Sequence, residues 1–187
     1  MKPLLSIWTS PVKAFEFLSK RDDSINRTMV NILSAMITIG AVFPQLKDLS
    51  EPFGNNKIVG ILIGIILSGL IGIIIVRFLL ALIYWVIGRI LKGEASKKQI
   101  QLVVAYSLIP YLIYLVIGLI LIIPALITKN LDLVFYHHPV TYFVVWILSA
   151  RNLIYGLSYF NKYSYGYALL NILIPAGIFE LIKLVIN

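Results

Sequence analysis

Long apolar stretches separated by short polar breaks dominate the 187-residue chain. The pattern predicts five membrane-spanning helices, because about 20 consecutive apolar residues cross the hydrocarbon core of a bilayer. The predicted spans are 28–46, 58–91, 99–127, 139–160 and 165–186. Clusters of Lys, Asp, Glu, Asn, Pro and Gly lie between them and favour loops and turns. The chain is therefore predicted to form an all-α, polytopic transmembrane helix bundle.

The second and third apolar runs are longer than one bilayer crossing requires. Residues 58–91 would form a helix of about 51 Å, whereas the hydrocarbon core is about 30 Å thick. Arg77 interrupts the second run and Pro110 interrupts the third. Two interpretations stay open. Either residues 78–109 form an apolar helical hairpin that extends towards the cytoplasm, or both spans are tilted or kinked and Arg77 reaches the interface with its charged end.

Two short motifs predict where helices begin. Ser96 and Gln99 have the spacing of a capping box, in which each side chain accepts a hydrogen bond from the backbone of the other residue. This motif predicts a turn before Ser96 and a returning helix after it. Ser10 followed by Pro11 likewise predicts a helix that starts at Pro11, with the Ser10 side chain as its cap.

Residues 1–27 are predicted to form a cytoplasmic segment, followed by a membrane domain over residues 28–187. Val12, Phe15 and Leu18 recur at three-residue spacing. This spacing predicts an apolar face on a short amphipathic helix. Such a helix lies flat on the inner leaflet or covers the cytoplasmic hairpin.

Composition and charge support a membrane protein with a fixed orientation. Hydrophobic residues make up 60% of the chain, against roughly 45–50% in soluble domains. We assign the net charge of +8 to loops at an anionic inner leaflet rather than to nucleic-acid binding. More basic residues lie on the side of the membrane that carries the N-terminus than on the other side. This bias predicts a cytoplasmic N-terminus and an outside C-terminus. The basic residues on that side are Lys2, Lys13, Lys20, Arg21, Arg27, Arg89, Lys92, Lys97, Lys98 and Lys162, and those on the opposite side are Lys47, Lys57, Lys129 and Lys183.

Small residues repeat every four positions along the second span. Gly60, Gly64, Ser68 and Gly72 would form a smooth stripe on one face of the helix. Small residues let helix backbones approach closely, which favours helix association in lipid. The partner helix belongs either to this chain, which we favour, or to a second copy, so a homo-oligomer stays open.

Polar residues within or beside the spans are the candidates for a functional site. Arg77, Arg151 and Asn152 lie towards the cytoplasmic side of the predicted spans. An ionisable group inside a membrane is costly and by default suggests a function. One interpretation is a path for a solute, an ion or a lipid headgroup that these side chains line. The other, which we favour, is that both arginines extend their charged ends to the interface or bind phosphate headgroups.

The sequence lacks the patterns typical of an intramembrane enzyme. Among the eight acidic residues only Glu180 lies well inside a span, so no pair of carboxylates is available there for general acid–base catalysis. The HExxH and Gly-x-Ser-x-Gly motifs are absent, and the chain has no cysteine. His137 and His138 near Asp132 form only a weak metal-binding pattern in a loop. We therefore expect no enzymatic activity, no cofactor and no metal site.

Three segments resemble the Yip family, integral membrane proteins first known as partners of Ypt/Rab GTPases. Residues 8–15 resemble the Pro-x-x-Ala-Phe helix of prokaryotic members. Residues 93–110 resemble the family's loop followed by a small residue, Tyr and Pro. Residues 146–175 resemble its last two spans. The residues at the motif positions are Pro11, Phe15, Tyr106 and Pro110.

The resemblance implies five spans, a cytoplasmic N-terminus and a non-enzymatic role. The Asp-Leu-Tyr-Gly-Pro segment and the long polar N-terminal region of eukaryotic members are absent. The chain therefore resembles a prokaryotic member, and GTPase binding is not carried over. The resemblance implies a multi-pass protein of the cell membrane, in this case a prokaryotic cytoplasmic membrane.

Two functional hypotheses follow from these features. The first is a scaffold or adaptor in membrane organisation or trafficking-like processes. Its expected partners are lipids of the anionic inner leaflet and a protein at the cytoplasmic face, and not nucleic acid. The second is a small transporter, channel or lipid-moving protein that uses Arg77 and Arg151.

Overall fold

The computed structural model describes residues 2–45, 48, 51–128, 130–135 and 138–186, and within these ranges the chain forms helices and turns. The helices are α1 (Lys2–Thr9), α2 (Pro11–Ser19), α3 (Asp23–Val42), α4 (Lys57–Gly72), α5 (Ala81–Ile90), α6 (Lys97–Ser107), α7 (Leu112–Thr128), α8 (Pro139–Asn161) and α9 (Tyr165–Ile186). A π-helical segment, Ile73–Leu80, joins α4 directly to α5. Short 3₁₀ turns lie at Phe43–Gln45, Glu51–Asn56, Ile109–Tyr111 and Leu131–Phe135.

Five helical stretches are long and apolar enough to cross a bilayer, which confirms the all-α, five-span prediction. These stretches are Asp23–Gln45, Ile58–Ile90, Lys97–Ala125, Asp132–Asn161 and Tyr165–Ile186. The first stretch begins upstream of the predicted boundary between residues 27 and 28, so that boundary falls inside α3. Asp22 causes the earlier start, because its carboxylate accepts hydrogen bonds from the N–H groups of Ser24 at 2.7 Å and Ile25 at 3.3 Å.

The two predicted helix starts have different outcomes. The capping box is confirmed: the Ser96 side chain accepts from the Gln99 N–H at 3.3 Å, and the Gln99 side chain accepts from the Ser96 N–H at 2.8 Å. Helix α2 does begin at Pro11, but the Ser10 side chain makes no capping hydrogen bond. The Ser10 N–H instead donates to the Ser6 carbonyl of α1, because α1 leads into α2 with a single residue between them.

The core of the bundle lies where α1 and α2 pack against α6 and α8. Phe15 and Leu18 of α2 are fully buried there, together with Val103 of α6 and Leu157 of α8. The predicted apolar face of α2 is partly wrong, because Val12 is exposed. The buried face consists of Pro11, Ala14, Phe15 and Leu18, which have the i, i+3, i+4, i+7 spacing of a core-facing helix.

Large apolar side chains on α4, α7 and α9 point away from the protein. Ile66, Ile123 and Val185 are among them, with 61%, 64% and 86% of their surface exposed. In water such extended apolar surfaces would drive association, whereas in a bilayer they contact lipid. The outward faces of these helices are therefore the lipid-facing surface of the protein.

Candidate functional site

Three segments meet at one end of the bundle, which we call the basic end: the start of α3, the turn at residues 91–96 and the turn at residues 162–164. Lys98 Nζ lies 2.9 Å from Asp23 Oδ2 and joins the starts of α6 and α3. The Glu94 N–H donates to the Asn161 carbonyl at 3.2 Å and joins the 91–96 turn to the end of α8. Exposed basic side chains here and on the adjoining helices α2 and α5 are Lys13, Lys20, Arg27, Arg89, Lys92, Lys97, Lys98 and Lys162.

Arg77 lies in the π-helical segment and links it to α3. Its Nη1 donates a hydrogen bond to Asn31 Oδ1, and its guanidinium carbon lies 4.8 Å from the centroid of the Phe78 ring. The Arg77 side chain is half-buried. Its Nε is buried, and no described residue accepts a hydrogen bond from it. Arg77 therefore lies between helices with part of its hydrogen-bonding capacity unused.

Arg151 has a different environment at the end of α1. Its Nη2 donates to the Trp8 carbonyl at 2.9 Å and to the Ile7 carbonyl at 3.5 Å. The last carbonyls of a helix lack intrahelical partners and carry the negative end of the helix dipole, so a guanidinium stabilises them. Arg151 thus fixes α1 to α8.

These contacts do not bring the three candidate site residues Arg77, Arg151 and Asn152 together. Arg77 bonds to α3 and Arg151 bonds to α1. Asn152 is 1% exposed, and no described residue provides a hydrogen bond to its Oδ1. A shared path lined by both arginines has no support in their contacts.

A buried polar network, which we did not predict from the sequence, connects the 91–96 turn to the junction of α8 and α9. The Tyr163 hydroxyl accepts hydrogen bonds from Asn161 Nδ2 at 3.2 Å and from Asn171 Nδ2 at 2.8 Å. Asn161 Oδ1 accepts from the Ala95 N–H at 3.3 Å, and Asn171 Nδ2 also donates to the Tyr84 carbonyl at 3.1 Å. Burial raises the pKa of the Tyr163 hydroxyl above its ordinary value.

The small-residue stripe on α4 packs against α3 at its inner end. A Cβ atom on Gly72 would lie 2.7 Å from the Ser34 carbonyl oxygen, so the approach of the two helices requires glycine there. Gly60, Gly64 and Ser68 line an apolar groove of about 420 Å³ beside the same helix. The partner helix that the structure provides for the stripe is α3, within the same chain.

A polar cavity of about 190 Å³ lies at the basic end beside Arg77. Its lining residues are Asp23, Asn26, Arg27, Val30, Arg77, Lys98, Gln101 and Leu102. Three separate parts of the chain therefore contribute to it: α3, the π-helical segment and α6. Among these residues, only Arg77 was a candidate site residue from the sequence.

The match to a known family extends over almost the whole of this fold. A model of the Yip1 domain matches residues 5–186. The chain belongs to the Yip1 family. The match includes α2 together with all five candidate spans, and it confirms the predicted family membership. No curated protein and no solved structure matches the chain.

The motif positions of this Yip1-family protein are buried inside the bundle. Phe15 and Tyr106 have almost no exposed surface, and Pro11 and Pro110 are buried as well. The Phe15 ring meets the Phe160 ring edge to face, with 6.1 Å between their centroids. Pro11 and Phe15 of α2, Tyr106 of α6 and Pro110 of the 3₁₀ turn after α6 are thus packed inside the bundle, which gives them a structural role.

The predicted histidine pattern of this Yip1-family protein is only partly described. His138 Nδ1 accepts a hydrogen bond from the Val140 N–H at 3.2 Å and so caps α8. His137 lies outside the described residues. Within the described ranges, no three His, Cys, Asp or Glu side chains are grouped closely enough to hold a metal ion.

Proposed function

We propose that this Yip1-family protein is a non-enzymatic scaffold or adaptor in membrane organisation or trafficking-like processes. Its N-terminus is cytoplasmic and its C-terminus is outside, in a prokaryotic cytoplasmic membrane. The observation that carries the proposal is the burial of the apolar face of α2 in the core at the basic end. A helix held in this way presents a fixed surface to the cytoplasm, whereas a helix that moves on the membrane does not.

The outer surface of α2 suits recognition by a protein partner. Lys13, Glu16 and Lys20 are exposed there, beside the exposed apolar side chains of Val12 and Phe17. Non-obligate interfaces are about as apolar as the rest of a protein surface, and aromatic side chains such as Phe17 are enriched in them. The membrane helices would hold the surface at the bilayer, and the exposed basic residues favour a position next to anionic lipids.

The transport hypothesis has weaker support. Arg151 donates to the end of α1, which gives it a structural role without any solute. Arg77 lines two small cavities, one of them at the basic end, and Arg151 lines neither of these. If purified protein in proteoliposomes moves a solute, and Arg77→Ala and Arg151→Ala leave the flux unchanged, then the arginine path is excluded.

Orientation can be measured directly because the chain contains no cysteine. Single cysteines at Lys13 and at Lys183, both exposed, report on the two ends of the protein. A membrane-impermeant maleimide added to intact cells should label Lys183→Cys and not Lys13→Cys, and permeabilisation should make Lys13→Cys reactive. Labelling of Lys13→Cys in intact cells would reverse the proposed orientation.

The adaptor role is tested by photocrosslinking in cells at endogenous expression. A photoreactive residue at Lys13 should yield a discrete protein adduct, and the same residue at lipid-facing Ile66 should not. An adduct with a second copy of the chain from Lys13 would indicate self-assembly through α2 instead of an adaptor. Lipid adducts alone from both positions would rule the adaptor role out.

A further inference from the structure

The cavity beside Arg77 has more positive than negative charge. Arg27, Arg77 and Lys98 contribute three cations, and Asp23 contributes one carboxylate. Lys98 and Asp23 form an ion pair at 2.9 Å, but their side chains are 78% and 75% exposed. An exposed pair of this kind stabilises little, so it rearranges readily when an anion enters. The cavity is therefore suited to a bound anion.

The same cavity also offers hydrogen-bond acceptors. Asn26 is 4% exposed, and its Nδ2 donates to the carbonyls of Leu18 at 3.0 Å and Arg21 at 3.4 Å. Its Oδ1 is buried, and no described residue donates to it. A buried acceptor without a donor costs free energy, and a ligand hydroxyl would recover it once the Asn26 side chain turns Oδ1 towards the cavity. The Asp23 carboxylate is a second acceptor in the lining.

The cavity adjoins the lipid-facing surface. Arg77 and Gln101 also line a second cavity of about 230 Å³, together with the apolar side chains of Phe78, Ala81 and Leu82. Phe78 and Leu82 are each about half exposed and lie on the candidate span Ile58–Ile90. An anion at Arg77 is therefore next to a surface that contacts lipid. The π-helical segment adds a second indication, because such segments are frequent at functional sites.

We propose that the cavity beside Arg77 binds the headgroup of an anionic phospholipid whose phosphodiester carries hydroxyl groups, as in phosphatidylglycerol. Arg27, Arg77 and Lys98 bind the phosphate oxygens, since guanidinium and ammonium groups form charge-assisted hydrogen bonds with phosphate. The hydroxyl groups donate to Asn26 Oδ1 and Asp23. A phosphocholine headgroup has no hydrogen-bond donor and no net charge, so it satisfies neither requirement. This binding does not depend on the adaptor role.

The test is native mass spectrometry of the full chain in detergent, titrated with single lipids. We expect retention of phosphatidylglycerol well above phosphatidylcholine and phosphatidylethanol, the latter an anionic phosphodiester without headgroup hydroxyls. Arg77→Gln and Arg27→Gln should each weaken phosphatidylglycerol binding roughly tenfold, as expected for the loss of a hydrogen bond to a charged group. Lys13→Gln is the matched control, because it removes a positive charge from the same end outside the cavity.

Several results would overturn the proposal. Equal retention of phosphatidylethanol would exclude the hydroxyl contacts, and equal weakening by Lys13→Gln would show attraction to the basic end as a whole. Release of the lipid by inorganic phosphate or glycerol phosphate at matching concentrations would show a site for soluble anions. Arg27 is exposed, so Arg27→Gln keeps the test valid if circular dichroism shows that Arg77→Gln does not fold.

Discussion

Gly156 of α8 lies where α2 and α6 both press against the helix. A Cβ atom there would lie 2.7 Å from Phe15 Cζ and 2.7 Å from Val103 Cγ1, which is closer than such contacts allow. Phe15 and Val103 are fully buried and cannot easily move. Gly156→Ala should therefore lower the free energy of unfolding by about 1–3 kcal/mol, the usual cost of overpacking a core. Equilibrium unfolding in mixed micelles measures the change.

The chain offers a matched control for this substitution in α9. Gly177 also lies inside a helix, but a Cβ atom there would meet nothing within 4 Å. Gly177→Ala should leave the stability unchanged or raise it slightly, because alanine is the better helix former. Equal losses at both glycines would contradict the close packing of α2 and α6 on Gly156.

The hydrogen bond from Arg151 to the end of α1 leads to a second prediction for a single side chain. Arg151→Gln removes the hydrogen bond to the Trp8 carbonyl, because the shorter glutamine cannot reach it. We expect a loss of about 1.5–3 kcal/mol, the range for hydrogen bonds to charged groups, and faster proteolysis of α1. Arg151→Lys, which keeps the charge near the end of α1, should lose less. Unchanged proteolysis in Arg151→Gln would contradict the capping role.

The partner of Arg151 shows what sequence reasoning could not reach. The sequence identified an arginine inside a span and thus a residue in need of a partner. Its actual partner lies 143 positions away and is a backbone carbonyl, which has no sequence signal. Asn161 and Asn171 pose the same problem, since their network depends on how the 91–96 turn meets α8 and α9. By contrast, the capping box at Ser96 is local and was predictable from spacing alone.

At the scale of the element, the turn between α8 and α9 depends on the hydroxyl of Tyr163. Tyr163→Phe removes the acceptor of two buried amide hydrogen bonds, those from Asn161 and Asn171. We expect a loss of about 1–3 kcal/mol at neutral pH, because buried donors would lack this partner. Tyr165→Phe is the control, since Tyr165 is 54% exposed, and it should leave stability unchanged.

The raised pKa of the same hydroxyl predicts that the stability of the folded protein depends on pH in the alkaline range. Burial raises the pKa of Tyr163 in the folded protein above its ordinary value of 10.0, so the folded state holds the proton more tightly than the unfolded state does. This stabilisation is complete below pH 10 and is lost as the pH rises through the raised pKa. The stability difference between wild type and Tyr163→Phe should therefore shrink above pH 10. A constant difference across that range would contradict the burial of the hydroxyl.

The helices themselves were largely predictable, and the exceptions have physical causes. Apolar runs identify spans because lipid requires long uninterrupted helices. For α2, three-residue spacing drew attention to Val12, whereas the buried face includes Ala14. A small alanine is not conspicuous in a sequence, but it lets α2 approach the core closely. The π-helical segment was also unpredicted. The buried residues Gly72, Val76 and Ala81 lie in it or next to it, and they are separated by four and then five positions.

At the scale of the whole molecule, the long span Ile58–Ile90 carries a continuous apolar strip on its outer face. Phe78, Leu82, Val86 and Ile90 repeat every four residues and are each at least 42% exposed. A hairpin that extended into the cytoplasm would place this strip in water, which is unfavourable for so large an apolar surface. The strip therefore favours the tilted span over the protruding hairpin.

Trp85 indicates where the inner boundary of the membrane lies. Lys97 Nζ is 4.5 Å from the centroid of its ring, and the Arg89 guanidinium carbon is 6.0 Å from it. Tryptophan beside basic residues is typical of the headgroup level. About 40 Å of helix separates residue 58 from Trp85, so the span needs a substantial tilt to keep both ends at the interfaces of a core of about 30 Å.

This placement predicts a sharp change in water accessibility along one helical hairpin. In inverted membrane vesicles, a membrane-impermeant maleimide should label Glu94→Cys in the exposed turn and leave Leu82→Cys unreacted, since Leu82 lies on the lipid side of Trp85. Detergent solubilisation should make Leu82→Cys reactive, which controls for burial inside the protein. If Leu82→Cys reacts in vesicles as fast as Glu94→Cys, the hairpin extends into the cytoplasm. The apolar strip would then be a surface that another protein covers.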